Sequence, residues 1–159
     1  NPTPEFCADR VDFNLIQPFR INRLRDAATT FFANPHDDMH REYSEFCTSS
    51  QEWLDDYALF MTINERECRR VWTDWPHALI KREPGALQKL RDTCVDVINF
   101  WKFCQWCFAR QWSKLKRYAN DNGVSIIGDV PIFVAYQSAD VWAHQELFKL
   151  DEKGQPEVV

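Results

Sequence analysis

The residues best placed to do chemistry lie around Asp129. Val124, Ile126 and Ile127 make a short apolar, partly β-branched run, and Gly128-Asp129 follows at once. Such a run suits a strand buried on both faces of a parallel sheet, and a carboxylate at its carboxyl end stands where α/β folds assemble their sites. Pro131 stops the ladder, having no N–H to give. Spacing alone leaves two uses open for Asp129, a site carboxylate or the cap of a loop.

Other groups invite chemistry and mostly decline it. His36 and His40 stand at i and i+4, the zinc-ligand spacing on a helix, but the metalloprotease pattern needs Glu where Asp37 stands. An exposed helix start explains these residues without metal. Asp55 and Asp56 are adjacent, so on a helix they point about 100° apart and cannot flank one glycosidic bond. Solvation or pairing with arginine suits them better. Cys104 and Cys107 form a C-x-x-C, but in mid-helix, without the strand-to-helix junction that activates a redox pair. All six cysteines read as reduced thiols filling small core positions, and neither a metal nor a cofactor is expected. Trp72 and Trp75 could stack on sugar rings, whereas packing is the commoner use of such large apolar surfaces.

The elements that must position these groups are mainly helical. Residues 8–19 read as an irregular entry segment, and from about Arg20 the residues Ile21, Leu24, Ala28, Phe31 and Phe32 recur at helical spacing. Asn34-Pro35 ends that helix and starts another. Ser49 or Ser50 caps a third, with Trp53, Leu54, Tyr57, Phe60 and Met61 at three- and four-residue steps. The segment 71–76 breaks the pattern with Trp72, Trp75 and Pro76. From Pro84 to Asn122 runs a pattern long enough to call for a kink or split near Asn99. Its main stripe includes Val97, Trp101, Cys104, Phe108 and Leu115, and a second, Val95, Ile98, Trp106 and Trp112, widens the apolar face. Asn122-Gly123 closes it, and Ser138 caps a short turn through Trp142. Residues 149–159 read as a hairpin around Gly154.

Composition narrows the classes. The 159 residues are one domain's worth, 45% hydrophobic and 14% aromatic, with net charge −5. That balance leaves no electrostatic footprint for nucleic acid or an anionic membrane. No apolar run approaches the roughly 18 residues of a membrane span. Four glycines make a phosphate-cradling loop improbable.

The literal residues carry more. Ile126 to Ala135, IIGDVPIFVA, then Ser138 to His144, SADVWAH, closely resemble a stretch of the 4-α-glucanotransferases, the bacterial amylomaltases and plant plastid disproportionating enzymes of glycoside hydrolase family 77. Arg10-Val11-Asp12, Trp53 to Phe60 and Gln105 to Trp112 resemble the same family, so the likeness covers nearly the whole chain. It implies an α/β fold, part of a (β/α) barrel of the α-amylase clan, in which this segment is mostly helical. Residues 1–122 would supply mainly helices, and 123–159 a barrel strand, a cleft loop and a hairpin. It implies α-1,4-glucans and maltooligosaccharides as substrates, and a cytoplasmic enzyme, or a plastid one in a plant. No catalytic residue carries over, because the family's nucleophile, acid/base and third carboxylate lie beyond the position matching Val159. Asp129, with Pro131, matches a strand end that supports the sugar cleft. A chain of this extent is expected to be inactive alone. The rival reading is a non-catalytic helical module that binds glucan or protein through Trp72 and Trp75.

Overall fold

Helix signals account for most of the architecture in the computed structural model, which describes residues 3–34 and 38–157. The chain divides into two compact units, Asn1–Ser44 and Glu45–Val159.

In the first unit, α1 spans Phe13–Ala33. The Asp12 carboxylate caps it, accepting from the Asn14 N–H at 2.9 Å. The helix therefore starts about seven residues before the expected Arg20, and Pro18 lies inside it. A proline so near the start removes one intrahelical bond without ending the helix. Ala28 is its one buried residue among those described. α2 spans Asp38–Ser49 and runs past the end of this unit at Ser44; its His40 ring stacks on Phe31 with centroids 3.9 Å apart.

In the second unit, α3 (Gln51–Arg66) is followed by a 3₁₀ turn (Trp72–Asp74), the short α4 (His77–Ile80), α5 (Pro84–Thr93), α6 (Val95–Asp121) and α7 (Ala139–Ala143). Pro84 opens α5 at a position where its missing N–H costs nothing. The expected long helix is split, but at Cys94 rather than Asn99. Cys94 adopts φ −122° and ψ 30°, still donating to the Leu90 carbonyl at 2.8 Å.

The core joins α3 to the elements after it in the chain. Leu59, Phe60 and Ile63 of α3 pack with Trp72, Trp75, Leu79, Leu87, Leu90, Val141 and Trp142. Phe60, Trp75 and Trp142 form an aromatic triangle with centroids 5.3–6.0 Å apart. Along its other side α3 makes its most extensive contact with α6, which buries Phe100, Phe103 and Trp106.

Phe108 and Leu115, expected on the core-facing stripe, are instead exposed, at 64% and 54%. Phe103 precedes Phe108 by five residues, about 140° around the helix, so α6 is apolar on two faces and only one is covered within these residues.

The strand expected at 124–127 is absent, and the described residues contain no strand. Residues 122–134 form an exposed, irregular extension instead. A strand needs neighbours for its N–H and C=O groups, and nothing in this unit offers an edge. Val158 and Val159 lie outside the described residues; among those described, the expected hairpin is reduced to one antiparallel bridge, Leu150 with Pro156, around a tight turn. Asp151 accepts from the N–H groups of Lys153 and Gln155 at 2.9 and 2.8 Å. Gly154 sits at φ +78°, and a Cβ there would lie 2.8 Å from the Trp72 ring, so both backbone and space demand glycine.

Candidate functional site

The segment carrying Asp129 is held at both ends and open between. At its start, Gly123 takes φ +74° and the Val124 N–H reaches back to the Ala119 carbonyl at 2.9 Å, the 6→1 bond of a glycine-terminated helix. At its end a set of indole contacts fixes the chain. The Trp72 backbone N–H donates to the Gln137 side chain at 3.1 Å, and the Trp72 indole N–H to the Tyr136 carbonyl at 3.0 Å. The Tyr136 hydroxyl donates to the Gly154 carbonyl at 2.8 Å, tying in the C-terminal turn. Ser138 caps α7 through the Val141 N–H, and buried Trp142 donates to the Leu79 carbonyl at 2.9 Å. Arg82, with φ +53°, lays its guanidinium 4.3 Å over the Trp142 ring and pairs with Asp56 at 2.6 Å.

Between these anchors Asp129 and Pro131 are exposed. Ile132, Phe133 and Val134 form one wall of an apolar groove of about 610 Å³, whose other side includes Val141, Phe148 and Leu150. An exposed carboxylate can accept hydrogen bonds from hydroxyl groups. Alone it cannot run glycosyl transfer with retention, which takes two carboxyl groups about 5 Å apart.

Trp72 and Trp75, the expected sugar contacts, are 0% and 3% exposed. Their N–H groups are committed to the backbone, Trp75 to the Arg70 carbonyl at 3.2 Å, so neither indole offers a face to a ligand. The packing alternative describes them. Asp55 and Asp56 diverge as helical geometry requires, Asp55 to Lys102 of α6 and Asp56 to Arg82. His36 and Asp37 lie outside the described residues, and among those described no group of three His, Cys, Asp or Glu could hold a metal.

The six cysteines are free thiols, exposed or half-buried rather than in the core. Burial raises the Cys107 thiol above its ordinary value, against a lowering by Arg110. That is the reverse of an activated thiol. Tyr57 is likewise raised by burial, partly offset by its hydrogen bond with Gln105 and reinforced by Cys104.

Sequence reasoning missed Tyr136, Gln137 and Arg82 as anchors. Tyr136 and Gln137 fall between two apolar blocks without periodicity, and no local signal marks an arginine bound for positive φ.

The comparisons with known proteins bear on this segment. The family model described as 4-alpha-glucanotransferase matches residues 3–156. A 4-alpha-glucanotransferase of Thermus thermophilus is 40% identical over 156 residues, covering 98% of this chain and 31% of that protein. The Solanum tuberosum protein named 4-alpha-glucanotransferase, chloroplastic/amyloplastic, is 34% identical, covering 95% of this chain and 26% of its own. Among solved structures, amylomaltase from Streptococcus agalactiae in complex with acarbose matches with a TM-score of 0.84 at 37% identity, over 92% of this chain and 29% of that one. The chain thus spans about three-tenths of the length of these relatives.

Proposed function

The chain belongs to the 4-alpha-glucanotransferase family, and from that premise we propose that it forms one part of an enzyme that moves α-1,4-glucan segments between maltooligosaccharides. The observation that carries this reading is the family match over residues 3–156, supported by the likeness to the amylomaltase structure. The complete enzyme is a (β/α) barrel, to which these residues contribute helices and the segment around Asp129.

Transfer proceeds by retaining double displacement. A carboxylate attacks the anomeric carbon while an acid protonates the departing glycosidic oxygen, giving a covalent glucosyl-enzyme. The 4-hydroxyl of a second glucan, deprotonated by the same acid/base group, then displaces the enzyme carboxylate. The carboxylates for these steps lie outside residues 1–159. Asp129 supports the cleft by accepting hydrogen bonds, and Pro131 fixes the backbone turn beyond it. The substrates are α-1,4-glucans, in keeping with the acarbose bound by the Streptococcus agalactiae amylomaltase. The setting is the cytoplasm, or the plastid in a plant, as the name of the Solanum tuberosum relative suggests for its own case. No helix of the described residues is long and apolar enough to cross a membrane. The binding-module alternative loses its surface with the burial of Trp72 and Trp75.

The test is a chimera in which this chain replaces the matching part of the Thermus thermophilus relative, assayed on maltotriose. Glucose and longer glucans are expected from the chimera and none from the 159 residues alone. Asp129→Asn in the chimera should lower kcat/KM about 10- to 100-fold, the value of one charge-assisted hydrogen bond. An unchanged kcat/KM would remove Asp129 from the cleft, and an inactive folded chimera would contradict the assignment.

A further inference from the structure

Asn122-Gly123 closes α6 and opens the extension that carries Asp129, and it is the one Asn-Gly pair in the sequence. The pair has a chemistry of its own. The backbone nitrogen after an asparagine can attack the side-chain amide carbon and close a cyclic imide, and glycine, with no side chain, obstructs that attack least. Both residues are exposed here, and the space where a Cβ of Gly123 would stand is empty to 4 Å. Two hydrogen bonds occupy the reacting groups. The Asn122 side-chain N–H donates to the Tyr118 carbonyl at 2.8 Å, and the Gly123 N–H to the Asn120 carbonyl at 2.9 Å. Both bonds lie within the last turn of α6, and helix ends are where fraying starts. Asn64 and Asn99 differ on each count: they stand inside α3 and α6, followed by Glu65 and Phe100.

We propose that Asn122 is a deamidation site, gated by fraying of the α6 C-terminus, and that its conversion loosens the start of the Asp129 segment. When the turn opens, the Gly123 nitrogen gives its proton to base and attacks Cγ of Asn122. The bond from Cγ to the side-chain nitrogen breaks, and ammonia leaves. Water then opens the imide. Attack at the side-chain carbonyl gives aspartate, and attack at the main-chain carbonyl gives isoaspartate, whose backbone runs through Cβ and is longer by one carbon. One water is consumed and one ammonia released, with no oxidant or reductant. Either product replaces an amide donor by a carboxylate, which only accepts. The bond to the Tyr118 carbonyl is lost, and a negative charge joins Asp121 at the negative end of the α6 dipole. Isoaspartate also lengthens the link into Gly123, whose φ of +74° and the Val124–Ala119 bond at 2.9 Å set the course of the extension. None of this chemistry depends on the proposed function.

Peptide mapping by mass spectrometry during incubation at mildly alkaline pH tests this on the 159-residue chain, with protected amides in α3 certifying that each sample is folded. Asn122 should become aspartate and isoaspartate about tenfold more slowly than in a peptide of residues 117–127, the factor for a terminal turn open about a tenth of the time. Denaturing urea should bring the chain up to the rate of the peptide. Asn64 and Asn99 should stay amides in the folded chain over the same period. Asn122→Asp, the product itself, should speed amide exchange at 122–124 about two- to fivefold and leave α3 unchanged. Persistence of the Asn122 amide for as long as that of Asn99 overturns the proposal. A rate in the folded chain equal to that of the peptide overturns the gating by α6, and unchanged exchange at 122–124 in Asn122→Asp overturns the loosening.

Discussion

Trp142 and Ile132 are ten residues apart, both large and apolar, and they meet opposite fates: Trp142 is 0% exposed and Ile132 91%. Trp142 finds Phe60 and Trp75 for its ring, Leu79 for its N–H and Arg82 for its outer face. Ile132 finds only one wall of an open groove. Apolar sequence states a demand for burial, and whether it is met depends on what else the chain supplies. The tryptophan region is closed within these residues; the region from Phe108 to Val134 is not.

Mutations should separate the two regions. Trp142→Ala removes a wholly buried side chain together with the hydrogen bond to Leu79, and should destabilise the chain by about 3–5 kcal/mol in urea unfolding. Gly154→Ala puts a Cβ against the Trp72 ring at positive φ, for an expected loss of about 1–3 kcal/mol. Asp129→Asn and Ile132→Asp in the open segment should stay within about 0.5 kcal/mol of wild type in the same titration. A loss near that of Trp142→Ala from either would erase the contrast.

A smaller effect tests the α3–α6 contact. Burial raises the Tyr57 pKa above its ordinary 10.0, so the folded chain keeps a proton that the unfolded chain gives up. Its contribution is fully present below about pH 10 and is lost as pH rises through the folded value. Thermal melts between pH 9 and 11 should show this decline flattened in Tyr57→Phe. An identical decline would mean that Tyr57 is not buried against α6.

Much of this was legible in the sequence. Apolar spacing placed α3, although Ser50 stands at its N-cap without a side-chain cap bond; Pro84 marked the start of α5, and the blocks around Asp129 pointed to the family. The start of α1 was obscured by Pro18, because Asp12 caps a helix that carries a proline in its second turn. The wrong face of α6 was put inward because Phe108 and Leu115 are as hydrophobic as Phe100 and Phe103. Periodicity counts stripes but does not say which of two has a partner in the chain. The strand failed for the same reason: Val124, Ile126 and Ile127 carry the right residue types, but pairing is a property of a sheet. Trp72 and Trp75 were ambiguous as sugar platforms until the carbonyls of Tyr136 and Arg70 were seen to take their N–H groups.

The measurement that bears most directly on the central contrast is residue-resolved amide exchange of the 159-residue chain at neutral pH. Amides of Leu54–Ile63 and Phe100–Trp106 should be the most protected, and those of 125–134 should exchange as fast as an unstructured peptide. Protection of 125–134 equal to that of α3 would contradict the account, since the segment would then be closed by the chain itself.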